Sequence, residues 1–353
     1  MITRRNAPFA FAPARVVASS GIVAVIILGS FGLASGQSGG GVSVEKRIPY
    51  VANGAPNQTV DVYRPEDSET GRVALVMVHG GGFAGGSADD LSRQARLAAR
   101  QGWVVFNLDY RTTSVMGTNG EAWPAERDDV QAGVRWVRAH AADYGADPSR
   151  IVVLGASAGG TLAALAAAAP DSPVRAMALW SAPTDLRTLV PDASGVPPAC
   201  DDNIQCVEFW REPWVTNLLG CTADACPDRY HAASPVLHAP AMPATYVANA
   251  SSEIVPVVQP EAFADALRAS EVGVELEMLS GSRHAQTFTE SVWNDTIRFL
   301  AEELGVPVPE PVDFDDSPFD LGWATLAIVL ALVGIVVAVV AGVTRDRRQG
   351  LAR

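Results

Sequence analysis

Ser157 lies in the pentapeptide Gly155-Ala156-Ser157-Ala158-Gly159, directly after the apolar run 151–154 and directly before an alanine-rich stretch. A serine at a sharp strand-to-helix turn carries its hydroxyl above a sheet. Flanking glycines remove side-chain clash there, and the following helix offers N–H groups and the positive end of its dipole to developing negative charge. The chemistry this spacing predicts is covalent catalysis, with Ser157 attacking an electrophilic carbonyl carbon.

Such a nucleophile needs donors for an oxyanion and a base. His79-Gly80-Gly81-Gly82-Phe83 ends another apolar run. Glycine N–H groups approach an oxyanion with no Cβ in the way, so two donors from this loop, with the N–H of Ala158, would hold a tetrahedral intermediate. The loop lacks the Lys-Ser/Thr ending of a phosphate-binding loop. His79 precedes the glycines and is read as ordering them. His284, in Gly281-Ser282-Arg283-His284-Ala285, follows the apolar run 274–279 and is the expected base. The acid that orients and charge-stabilises it should follow the run 245–248. Glu253 is the single carboxylate in Asn249-Ala250-Ser251-Ser252-Glu253-Ile254-Val255-Pro256 and takes that role.

The elements that must position these residues alternate along the chain. Apolar runs at 73–79, 103–108, 151–154, 176–180, 245–248 and 274–279 read as strands buried on both faces of a mostly parallel sheet. Helix-like stretches lie between and beyond them at 88–101, 125–143, 158–169, 260–270 and 289–303. The order gives an α/β, doubly wound sheet, with antiparallel edge strands near 44–51 and 58–63. The loops after parallel strands lie on one side of the sheet, which brings Ser157, the glycine loop, Glu253 and His284 to the same rim.

One stretch interrupts this rhythm. Residues 189–238 hold all four cysteines, Cys200, Cys206, Cys221 and Cys226, together with Phe209, Trp210 and Trp214. We read it as a cap over the strand ends, braced by two disulfides, with local pairing Cys200–Cys206 and Cys221–Cys226 the first expectation among three. A metal site is the competing reading, but the spacing lacks a tight C-x-x-C pair.

The ends of the chain have their own character. Residues 1–36 carry Arg4, Arg5 and Arg15 ahead of an apolar run and read as a signal peptide or N-terminal anchor. Residues 37–303 are the expected α/β domain. Residues 304–320, acidic and proline-containing, read as a stalk. Residues 321–343 are uncharged and long enough to span a bilayer, and the arginine-bearing tail 344–353 would stay cytoplasmic. The expected location is therefore a cell membrane, with the large domain on its outer side. Of 353 residues 48% are hydrophobic and the net charge is −13, which argues against both a disordered chain and a nucleic-acid binder.

HGGGF at 79–83, LDYR at 108–111, WPAERDDVQAGVRWVRAH at 123–140, DPSRIVVLGASAGG at 147–160 and GSRHA at 281–285 together resemble the α/β-hydrolase esterases and lipases of the hormone-sensitive-lipase-like and related carboxylesterase group. The resemblance covers roughly 45–303. It implies Ser157 as nucleophile, His284 as base, and Gly81, Gly82 and Ala158 as oxyanion donors. The group usually places an aspartate four residues before the Val-Pro proline, where this chain has Ser252, so Glu253 stands one step later. The implied activity is hydrolysis of small-molecule or lipid carboxylic esters through an acyl-enzyme, with no cofactor. An amidase or peptidase on the same residues, and a non-catalytic binding domain of the same shape, are the alternatives.

Overall fold

The computed structural model describes residues 41–113, 123–191, 195–200, 204–210 and 214–314. The expected signal segment 1–36, the apolar segment 321–343 and the basic tail lie outside these residues. Among the described residues no helix is long and apolar enough to cross a membrane.

Among the described residues eight strands form one sheet: β1 (Val42–Pro49), β2 (Thr59–Pro65), β3 (Arg72–Val78), β4 (Val104–Leu108), β5 (Ala146–Ala156), β6 (Val174–Trp180), β7 (Ala244–Ala250) and β8 (Val274–Leu279). Their spatial order is β1-β2-β4-β3-β5-β6-β7-β8. β1 and β2 pair antiparallel, as does β2 with β4, and every later pairing is parallel. The two alternating N-terminal runs are thus an antiparallel flank on a parallel sheet.

The helices are α1 (Ser92–Arg100), α2 (Ala125–His140), α3 (Ala158–Ala167), α4 (Ile204–Trp210), α5 (Trp214–Leu219), α6 (Pro227–Ala232), α7 (Val258–Ala269) and α8 (Thr289–Glu303). Period-two alternation in the central strands feeds a core on each face. In β3, Ala74, Val76 and Val78 join the core made with α2, α3 and α7. Val73, Leu75 and Met77 point to the core made with α1 and α8. Burying both faces is what gives β3 its continuous apolar run. Trp180 and Trp293 are fully buried in the α8 core and meet edge to face, with ring centroids 6.2 Å apart. Each large side chain so buried stabilises the fold by about 1.5–3 kcal/mol.

α3 has no polar side facing water. All ten of its residues are buried, because it packs on β5 and β6 and is covered by α2. Its small alanines permit that close stacking, which holds the turn before it firmly.

Three expectations need correction. β8 is not buried on both faces: its residues are half-buried or exposed, since it is the last strand of the sheet and VELEML alternates accordingly. β5 is longer than the run 151–154, because its first half lies at the exposed end of the sheet and carries polar residues. The segment read as a free stalk is extended but lies against the domain as far as Phe314. Asn294 exchanges two hydrogen bonds with the Val312 backbone, at 3.0 and 2.9 Å. Gln101 Nε2 donates to the Glu310 carbonyl at 2.8 Å, and Arg93 stacks on the Phe314 ring at 5.6 Å. Val306, Val312 and Phe314 supply apolar contacts that the acidic composition of this segment obscured.

Candidate active site

Ser157 occupies the turn between β5 and α3, with φ 52° and ψ −125°. A positive φ is costly for a residue with a Cβ, and it persists here because strand and helix on either side fix the turn. The Ser157 N–H donates to the Trp180 carbonyl at 2.8 Å, tying the turn to the end of β6. The side chain is buried against the glycine loop: a Cβ placed on Gly80 would lie 2.9 Å from Ser157 Cβ.

The glycine loop is set by its own backbone. Gly81 and Gly82 have φ values of 123° and 61°, conformations that glycine adopts without steric cost. The Gly81 carbonyl accepts from the N–H groups of Ala84 and Gly85, both at 3.1 Å. No hydrogen bond among the described residues engages the N–H groups of Gly81 or Gly82. Ala158 is the first residue of α3, where an N–H has no helical partner. Three donors therefore remain available beside the serine.

His79 anchors this loop. Its Nδ1 donates to the Gly80 carbonyl at 2.7 Å, and its ring stacks on Tyr110 at 4.3 Å. The Tyr110 hydroxyl donates to the His79 carbonyl at 2.8 Å. Burial holds the imidazole below its ordinary pKa, so it is neutral at pH 7. Its Nε2 faces Asp109, 3.7 Å away, whose carboxyl is pushed up by burial.

Glu253 and His284 meet directly. The Glu253 carboxylate is fully buried, and its Oε2 accepts the Nδ1–H of His284. Its other oxygen, Oε1, accepts from the Ser181 hydroxyl at 2.7 Å and from the Ala250 N–H at 3.0 Å. Every acceptor oxygen of this buried carboxylate thus has a donor, which offsets the cost of keeping the charge out of water. The pairing places the Nδ1–H of His284 on Glu253 and so fixes the ring's orientation and its tautomer. His284 itself is partly exposed, and its backbone N–H donates to Thr287 Oγ1 at 2.9 Å. The loops bearing the two residues are laced together: Ser252 N–H donates to the Gly281 carbonyl at 2.9 Å and Ser251 N–H to the Leu279 carbonyl at 2.8 Å. With the loops so joined, Ser252 is exposed and the adjacent Glu253 is buried against the histidine.

Ser181 is a site residue that sequence reasoning missed. It follows β6, has a φ of 52°, and is completely buried. Its hydroxyl donates to Glu253 and accepts the Ala285 N–H at 2.8 Å. The available signal was its place at the carboxyl end of a parallel strand adjoining the serine turn.

The cap holds both locally paired disulfides, Cys200–Cys206 and Cys221–Cys226. No group of three or more His, Cys, Asp or Glu side chains among the described residues is arranged to hold a metal. A half-open apolar cleft of about 350 Å³ lies between the cap and α7, lined by Ala199, Pro256 and Val258 among others. Neither Ser157 nor His284 lines it, so it is separate from the serine.

The sheet order, the strained serine turn and the acid–histidine pair after the later strands define an α/β-hydrolase. The family profile described as BD-FAE matches residues 60–267, more than half of the chain, and the chain belongs to that family. It is 30% identical over 270 residues to Esterase LipQ of Mycobacterium tuberculosis, an alignment covering 73% of this chain and 60% of that protein. A truncated carbohydrate esterase from gut microbiota has a similar fold, with a TM-score of 0.60 at 21% identity, over 74% of this chain and 96% of that one. Est2 from Thermogutta terrifontis, described as a thermophilic esterase, superposes with a TM-score of 0.56 at 25% identity, over 78% and 96% of the two chains. The chain spans about 60% of the length of LipQ.

Proposed function

We propose that this chain is a serine esterase that hydrolyses carboxylic esters through an acyl-enzyme. One observation carries the reading: a buried, fully donor-satisfied Glu253 holds His284 in the tautomer that a general base requires, on the side of the sheet where the elbow presents Ser157. The names of the relatives, esterases and lipases, support the same chemistry.

In the first half-reaction Ser157 Oγ attacks the ester carbonyl carbon while His284 Nε2 takes the hydroxyl proton. The carbonyl oxygen becomes an oxyanion held by the N–H groups of Gly81, Gly82 and Ala158. Collapse of the intermediate breaks the C–O bond, and His284 returns the proton to the leaving alcohol. Water then attacks the acyl-enzyme with His284 as base again, releasing the acid and restoring Ser157. Glu253 keeps its hydrogen bond to Nδ1 and stabilises the imidazolium that forms between these transfers. The steps need no cofactor.

Two disulfides support an oxidising compartment. We extend the proposal to location: the hydrolase domain works on the outer side of the membrane, with the apolar segment 321–343 as its anchor. Protease accessibility in intact cells, together with membrane fractionation, tests that part separately.

The activity is tested by hydrolysis of p-nitrophenyl acetate and butyrate with the full-length chain. Ser157→Ala and His284→Ala should each lower kcat by roughly 10⁴-fold or more, and Glu253→Gln by about 10²- to 10⁴-fold. A folded protein that is inactive on both esters and does not react with a fluorophosphonate would overturn the reading. Full activity in Glu253→Gln would remove Glu253 from the triad.

A further inference from the structure

The cap reaches both halves of the reaction centre. On one side the Trp214 ring, at the start of α5, lies on the oxyanion loop: a Cβ on Gly82 would sit 3.0 Å from Trp214 Cε3 and 3.3 Å from Cζ3. On the other, Trp210 at the end of α4 donates its Nε1–H to the carbonyl of Ile254, the residue after Glu253, at 2.9 Å.

The Trp214 ring is also clamped. Its Nε1–H donates to the Phe209 carbonyl at 2.9 Å. The Phe209 ring stacks on it almost parallel, with centroids 5.7 Å apart and planes 13° apart. Leu218, on the same helix, accepts the Trp123 N–H at 2.9 Å. The disulfide Cys200–Cys206 ties α4 to the chain before it, and Cys221–Cys226 closes the chain after α5. Swinging this indole aside costs its hydrogen bond, its stacking partner and its seat on Gly82 together.

We propose that Trp214 is a specificity-determining residue, the fixed wall that limits the length of the acyl group. The proposal rests on the serine-esterase reading. A carbonyl oxygen in the oxyanion hole sits about 3 Å from its N–H donors. The indole packs against Gly82, one of those donors. The substituent on that carbonyl carbon therefore begins within a few ångströms of the ring. A short apolar acyl group gains contact with the indole, whereas a long chain meets a surface that does not give way.

The test is a p-nitrophenyl ester series from acetate to decanoate, with a constant leaving group, on the full-length chain. Trp214→Ala should raise the octanoate-to-acetate ratio of kcat/KM by about tenfold or more, the scale expected when a hydrophobic pocket gains several methylenes of room. Phe209→Ala, which removes the ring's backing and leaves the indole in place, should shift the ratio the same way by a smaller factor. Trp214→Phe keeps a flat wall and should hold the ratio within about threefold of wild type. An unchanged ratio in Trp214→Ala, or equal losses on all chain lengths, would overturn the proposal. If Trp214→Ala does not fold by its melting transition, an unchanged ratio in Phe209→Ala overturns it. Absence of Ser157-dependent hydrolysis in the wild type would instead be a failure of the esterase reading, and the fluorophosphonate label identifies that case.

Discussion

Ser181 donates its hydroxyl hydrogen to Glu253 Oε1 at 2.7 Å and accepts the N–H of Ala285, the residue after His284, at 2.8 Å. One buried hydroxyl thus spans Glu253 and the loop that carries His284. Removing it takes the acceptor from the Ala285 N–H and a donor from Glu253 Oε1, which keeps the Ala250 N–H.

Ser181→Ala should therefore lower kcat on p-nitrophenyl acetate by roughly ten- to a hundredfold, the equivalent of about 1–3 kcal/mol for an orphaned buried group, while KM changes little. Ser181→Gly removes the same hydroxyl but relieves the positive φ, so it should match the alanine variant in kcat and exceed it in melting temperature. In a Glu253→Gln background either change should cost far less than in wild type, because the two residues act as one unit. Steady-state kinetics of the double-mutant cycle checks this, and strict additivity would contradict it.

Gly159 follows the elbow at a point where helix and glycine loop touch. A Cβ there would fall inside the van der Waals envelope of the His79 and Val78 carbonyl oxygens, which are backbone atoms and cannot rotate away. Gly159→Ala should destabilise the fold by about 3 kcal/mol or more. Urea unfolding followed by circular dichroism measures it, and a loss under about 1 kcal/mol would show that the elbow has slack.

His79 makes a pH prediction of definite sign. Burial holds its folded-state pKa below the ordinary value of 6.5. The unfolded chain therefore binds a proton near pH 6.5 that the folded chain resists. Stability is unaffected by this group well above pH 6.5 and is lost progressively as pH falls below it. The urea midpoint of wild type should drop between pH 7.5 and 5.5. His79→Gln, less stable at pH 7.5, should show a smaller drop over the same interval. Parallel curves for the two proteins would mean that the ring titrates normally.

Much of this molecule was legible in residue types and spacing. Central strands buried on both faces appear as unbroken apolar runs, which gave the strand order its ingredients. The G-x-S-x-G turn has few backbone solutions between a strand and a helix, so Ser157 had to stand at the sheet's carboxyl rim. His284 and Glu253 were readable because loops after parallel strands share that rim. The same logic failed where environment, not pattern, decides. A last strand looks apolar enough to be buried, yet among the described residues no strand pairs with β8 on its outer side. Acidic, proline-rich residues look solvated, yet three apolar side chains among 306–314 find the α1 and α8 surface.

By itself, then, the sequence determined the alternation of strands and helices, the serine turn and the glycine loop, because each depends on neighbours within a few residues; of the three possible cysteine pairings it offered the local one first, and the structure has that one. The tertiary structure alone decided that Glu253 and not Ser252 turns toward His284, that Ser181 joins the two loops, and that Trp214 lies on Gly82. Those contacts join residues 31, 72 and more than a hundred positions apart along the chain. Their geometry follows from how the sheet and cap pack, which no local spacing encodes.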